Sequence, residues 1–122
     1  MRIAVYAQNA DTRHSISRLT EDILLRRGIL PEMTMFPMLP ELLAAARENA
    51  AFDIVLVEEA QGASALKNLC RLVPVILIGG KDDGPTAFDA GADYFIEKPV
   101  DEKKLNRALM RCLSVKKKEN MI

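Results

Sequence analysis

Residues Phe52–Ala60 read FDIVLVEEA. A nearly continuous apolar run ends in two adjacent carboxylates, Glu58 and Glu59. Such a run, without polar alternation, is the pattern of a strand buried on both faces of a parallel sheet. Unpaired charges are too costly to bury inside such a strand. The glutamates therefore mark its end, and in open parallel sheets ligands gather at the carboxyl ends of the strands.

Working outward, four more stretches have strand length: RIAVYA (Arg2–Ala7), MTMF (Met33–Phe36), VPVILI (Val73–Ile78) and DYFI (Asp93–Ile96). Helical segments fit between them. The first is capped by Asp11 or Thr12, runs to Arg27 and stops at Gly28, with Ile16, Leu19, Ile23 and Leu24 as its buried stripe. Pro40 opens a second that reaches Glu48. A short third covers about Gly62 to Arg71, a fourth opens near Pro85 and ends at Gly91, and a fifth starts from Asp101 with Leu105, Leu109 and Leu113 on one face. Strand–helix alternation repeated five times predicts an α/β, flavodoxin-like, doubly wound five-stranded parallel sheet of order 2-1-3-4-5 with a shortened third helix. Residues 1–115 form one domain, and 116–122 are a frayed tail or linker stump.

Composition narrows the function classes. With 122 residues the chain can bury a core, and a 49% apolar, 28% charged composition is that of a globular protein. Zero formal net charge gives no global attraction to nucleic acid or membrane. The longest apolar runs fall well short of a membrane span, and no signal peptide is evident, so a cytoplasmic location is expected. Cys70 and Cys112 have no metal-like spacing and read as reduced thiols.

The segment AFDAGADYFIEKPVDEKKL (Ala87–Leu105), with FDIVLVE, VPVILIGG and the opening MRIAVYAQN, resembles receiver domains of bacterial two-component response regulators, closest in look to those of LytTR-type regulators. The resemblance spans essentially the whole chain. It implies a site in which two acids after strand one and an acceptor aspartate hold Mg²⁺. A lysine and a hydroxyl residue contact the phosphoryl group, and an aromatic on strand five reports the state. Here Ala7 and Gln8 stand where the acids belong, Glu58 replaces the acceptor, Gly79 the hydroxyl residue and Phe95 the usual tyrosine; Lys98 followed by Pro99 keeps the pattern. Fifteen residues separate Glu58 from Pro74, so the loop and helix after strand three are trimmed.

These departures predict a degenerate phosphoacceptor pocket made of Ala7, Gln8, Glu58, Glu59, Gly79, Phe95, Lys98 and Pro99, with no metal site, no cofactor and no catalysis. Mg²⁺ needs hard oxygen ligands that Ala7 and Gln8 do not supply as carboxylates. The extra methylene of Glu58 spoils in-line attack, and roughly ångström errors cost about 100-fold. Glu58 is read either as a mimic of a phosphorylated aspartate or as a structural ion pair with Lys98; Glu59 is read as solvated.

The remaining features have plain readings. His14 sits on a surface helix beside Arg13 and Ser15, and Met33, Met35 and Met38 pack at core and edge. GGKDDG (Gly79–Gly84) is a weak anion-cradle pattern, because Asp82 and Asp83 would repel a phosphate.

The reading is a pseudo-receiver that signals by protein–protein contact and is not an enzyme. The rivals are a receiver still able to accept phosphate and a flavodoxin-like small-ligand binder. The interaction face is Phe88, Asp89, Val100, Asp101, Lys103, Lys104, Leu105 and Arg107, for protein partners or a weak homodimer. By the resemblance, it is the surface of the fourth helix, fifth strand and fifth helix. No membrane contact is expected, and nucleic acid only through a separate output domain.

Overall fold

The computed structural model describes residues 1–48, 51–69 and 72–120, with side chains described as far as Ser114. Alternating direction along the central strands builds two cores. Ile3 and Val5 of β1 (Arg2–Tyr6), Ile54 and Leu56 of β3 (Ile54–Val57) and Ile76 and Ile78 of β4 (Val75–Gly79) face one side. There they meet α1 (Ala10–Arg26) and α5 (Glu102–Asn120). Ala4, Tyr6, Val55, Val57, Val75 and Leu77 face the other, against α2 (Leu39–Arg47), α3 (Ala60–Leu69) and α4 (Gly84–Asp89). With β2 (Glu32–Phe36) and β5 (Tyr94–Glu97), the five parallel strands take the order β2-β1-β3-β4-β5.

The edge strand β2 buries only Phe36, whose ring meets Phe52 edge-on at 6.0 Å. Met33 packs partly against the core, while Met35 and Met38 are exposed at the sheet edge.

Several element ends differ from the sequence reading. Asn9 caps α1 instead of Asp11 or Thr12: its Oδ1 accepts from Thr12 N–H at 3.0 Å. Gly28 ends that helix as expected, at φ 75°, with Gly28 N–H donating to Leu25 O and Ile29 N–H to Leu24 O. That pair of bonds is a Schellman closure, and only glycine enters the left-handed region without penalty.

After β3 the connection is just Glu58 and Glu59 before α3 begins at Ala60, two residues ahead of expectation, and at 10 residues α3 is no shorter than α2 at 9 or α4 at 6. Gly62 lies inside the helix. A Cβ there would stand 3.2 Å from Leu39 Cδ1 and 3.8 Å from the Tyr6 ring, so its absence sets how closely α3 approaches. Lys67 then ties α3 to the sheet. Its Nζ lies 2.6 Å from Asp93 Oδ2 and donates to Val73 O at 2.8 Å, while Asp93 Oδ2 also accepts from Val75 N–H.

Along α5, Leu105, Ala108, Leu109 and Cys112 form the buried stripe and Leu113 is half-buried. Asp101 starts the helix by accepting from Lys104 N–H at 2.8 Å. Its backbone stays helical through Asn120, into the segment expected as a tail; residues 121 and 122 lie outside the described residues, as do Cys70 and Arg71. Burial pushes the Cys112 thiol up to about 11, helped by the Asp93 charge and opposed by Lys67. Among the described residues, no helix is long and apolar enough to cross a membrane.

Candidate functional site

The carboxyl ends of β1, β3, β4 and β5 form one rim. Glu58 leaves β3 there, its N–H donating to Tyr6 O at 3.1 Å. Its side chain is only 15% exposed and its Oε2 lies 3.2 Å from Lys98 Nζ, which is 44% exposed. Lys98 is placed by the β4–β5 ladder, its N–H donating to Gly79 O at 2.8 Å just before the cis peptide to Pro99. The retained lysine thus reaches the strand-end glutamate, as the sequence suggested.

At the end of β1, Ala7 is fully buried and Gln8 exposed. Arg13, one turn into α1, folds back over this strand end. Its Nη1 donates to Ala7 O at 2.9 Å and Gln8 O at 3.4 Å. A guanidinium therefore sits on the backbone oxygens at the end of β1.

Gly79 closes β4, and the space its missing side chain leaves is filled. A Cβ at Gly79 would lie 2.6 Å from Asp83 Oδ2, a distance real Cβ atoms essentially never show. That carboxylate is held by Gly80 N–H at 2.7 Å in the 3₁₀ turn Lys81–Asp83. The glycine-rich loop therefore offers its Gly80 amide to the chain's own aspartate, not to an external anion. Glu58, Glu59, Gln61, Leu77, Gly79 and Asp83 line a shallow cleft of about 360 Å³.

Glu59 is half-buried, contrary to the expectation of a solvated side chain. Tyr6 is held above its ordinary pKa, first by burial and then by the charge of Glu59, its hydrogen bond to Glu59 and the charge of Glu58; the Gln8 bond opposes this. The Tyr6 phenol thus feels the charge of both glutamates of the FDIVLVEEA segment.

Phe95 is half-buried against the core under α2, α3 and α4, its ring 3.8 Å from where a Gly84 Cβ would be. Of the expected interaction face, Phe88 is 73% exposed, and Asp89, Asp101, Lys103 and Arg107 are exposed too. Val100 is half-buried. Leu105 is 0% exposed and belongs to the core, so it is removed from that face: the apolar stripe of α5 points inward. Lys104 is drawn back to Glu97 O and Pro99 O, each at 3.2 Å.

Arg13, Asp83 and Tyr6 were not read from the sequence as site residues. A signal existed for Asp83, since an acid three residues after a glycine pair can cap the amides of the turn. Nothing local signals Arg13, whose long side chain reaches back across a helix start.

No protein-family model matches the sequence, nor does any curated protein. Solved structures do match in fold. A response regulator receiver domain protein of Clostridium thermocellum superposes with TM-score 0.81 at 21% identity, over 95% of this chain and 96% of that one. A LuxR family DNA-binding response regulator of Silicibacter pomeroyi gives 0.78 at 22%, over 93% and 92%. A CheY-like receiver domain protein of Methanospirillum hungatei gives 0.73 at 23%, over 97% of each chain. The chain has the receiver fold.

Proposed function

We propose that this receiver fold works as a signalling module that does not depend on phosphoryl transfer and acts through protein–protein contacts, within a two-component-like regulatory system. One observation carries the reading: Asp83 fills the place of the missing Gly79 side chain, so a carboxylate stands where a phosphoryl-binding hydroxyl is required. An incoming phosphoryl donor would meet Glu58, Glu59 and Asp83 in the same cleft. Like charges there oppose its approach. Glu58 is engaged by Lys98 and lies under partial burial, which supports its role as a structural ion pair.

The residues do not fit Mg²⁺. Ala7 has no ligating side-chain atom, Gln8 is neutral and exposed, and the Arg13 guanidinium donates to the Ala7 and Gln8 carbonyls. Mg²⁺ is held through well-placed carboxylates with waters completing its shell, and although Glu58, Glu59 and Asp83 line one cleft, no three acids among the described residues are grouped so that they could hold an ion.

Without a phosphoryl switch, association has to be built in. The exposed Phe88 with Asp89, Lys103 and Arg107 is the surface offered to a partner or to a second copy. Beryllofluoride or acetyl phosphate with Mg²⁺ should leave the amide spectrum of the chain unchanged. Shifts centred on residues 58, 79 and 98 would mean that the site still accepts a phosphoryl group.

A further inference from the structure

We propose that the open edge of β2 is a self-association surface, where a second copy of this chain adds its own β2 antiparallel across a two-fold axis through Thr34. This surface is separate from the α4 side named above. β2 ends the sheet and pairs only with β1. Glu32 N–H donates to Met1 O at 2.7 Å. Main-chain groups alternate in direction along a strand, so Glu32, Thr34 and Phe36 face β1 while Met33 and Met35 turn their N–H and C=O to the open side. Edge strands are commonly guarded by lysine, an internal proline or a bulge. At the other edge of this sheet, Lys98 N–H faces β4, and the outward Glu97 carbonyl accepts from Lys104 Nζ at 3.2 Å. β2 has an unbroken register and one charge, Glu32, which lies 3.6 Å from Arg2 of its own chain.

The second copy is the occupant because the edge is self-complementary. Residues 30–38 read LPEMTMFPM, close to a palindrome about Thr34. An isologous contact sets each residue against its mirror. Met33 then meets Met35 of the second copy, and each such pair exchanges both of its outward main-chain bonds. The two methionines share the face toward α1 and α5, where Met33 is half-buried and Met35 is 44% exposed, so each Met35 covers the Met33 opposite. Beyond the strand, Leu30 at 80% exposed meets Met38 at 56%. Pro31 and Pro37 fix the register. Moving the axis to residue 33 or 35 sets a proline, which has no N–H, against an outward methionine. Glu32 meets Phe36, the one mismatch, and the two Glu32 side chains stay roughly 13 Å apart along the strand, beyond a screening length of about 8 Å.

The test is sedimentation of the full chain over a rising concentration series, since one strand pairing falls below the roughly 1,200 Å² of standard interfaces and is weak. The parent should pass from monomer to dimer and stop there. Met35→Lys, at an exposed position, should stay monomeric, and Phe88→Ser should dimerise like the parent. Register is read by cross-linking in a background where Cys70 and Cys112 are replaced by alanine. Thr34→Cys should oxidise to a covalent dimer, because directly opposed residues outside the hydrogen-bonded pairs have Cα atoms about 4.5 Å apart, within disulfide reach. Glu32→Cys should not. Dispersed amide spectra check that every variant is folded. A parent that stays monomeric, association that continues past the dimer, a dimer lost with Phe88→Ser but kept with Met35→Lys, or equal cross-linking at positions 32 and 34 would each overturn the proposal. The beryllofluoride response decides the phosphorylation-independent reading separately.

Discussion

Replacing Gly79 by alanine puts a Cβ 2.6 Å from Asp83 Oδ2, 3.0 Å from its Cβ and 3.2 Å from its Cγ. The aspartate has to leave, and it takes with it the 2.7 Å bond to Gly80 N–H. Losing a charge-assisted bond in this partly solvated turn costs about 1–2 kcal/mol. Against that, alanine lowers the entropy of the unfolded chain, worth about 0.4–1 kcal/mol where the backbone conformation is compatible. The net expectation for Gly79→Ala is a loss of about 1 kcal/mol, or a urea midpoint lower by about 0.5 M. In an Asp83→Gly background all three opposing atoms are gone, and only the entropic gain remains. Gly79→Ala should then be neutral or stabilising, with a coupling of about 1–2 kcal/mol between the two positions. Urea unfolding of the four proteins, with constant m-values, measures it. If Gly79→Ala costs the same in both backgrounds to within about 0.5 kcal/mol, Asp83 does not fill the place of the missing side chain. The main structural support for the proposed function would then be gone.

Three further outcomes are expected. Lys98→Ala should lower stability by about 1 kcal/mol, well below the roughly 3–5 kcal/mol for breaking a fully buried pair, because the Lys98 side chain is 44% exposed and screened; an unchanged melting curve would mean that Glu58 is served by water. Stability should fall as pH rises from about 9 to about 11, because unfolded chains release the Cys112 thiol proton near 9 while the folded chain holds it to about 11. The full contribution, on the order of 2–3 kcal/mol, is present below that window, Tyr6 acts in the same direction, and Cys112→Ala should flatten the pH profile of urea midpoints. Ser17→Ala should be neutral or stabilising by up to about 1 kcal/mol, since the buried Ser17 hydroxyl has no hydrogen-bond partner among the described residues; a loss in thermal unfolding would point to a partner there.

The central strands were legible because burial on both faces leaves a continuous apolar run, and β1, β3 and β4 all have one. The weaker β2 shows why an edge strand is harder to read: it buries a single side chain, so its composition is free to drift. Helix starts were legible only to within a residue or two. Asn9, Asp11 and Thr12 are all good caps by chemistry. The choice among them is made where β1 leaves the sheet, a tertiary fact. Gly62 misled for a related reason: it reads as punctuation, but its role is close contact with Leu39 and Tyr6 in the middle of the packing.

At the site, Lys98 and Glu58 were legible because both sit at strand ends whose neighbours are fixed by sheet order. The groups that were missed answer the polar atoms those ends expose. Asp83 meets Gly80 N–H, and Arg13 meets the carbonyls of Ala7 and Gln8. A ligand-driven switch requires a ligand that binds one conformation better than another. A rim whose carboxylates, guanidinium and turn amide are already engaged within the chain leaves an external anion or cation little to gain in either conformation, because it would have to break a bond for each one it makes. A partner protein faces no such exchange at Phe88, which is 73% exposed and has apolar area to remove from water. On the proposed reading, the energetic opportunity on this fold therefore lies at the outer surface of α4 and not at the strand ends.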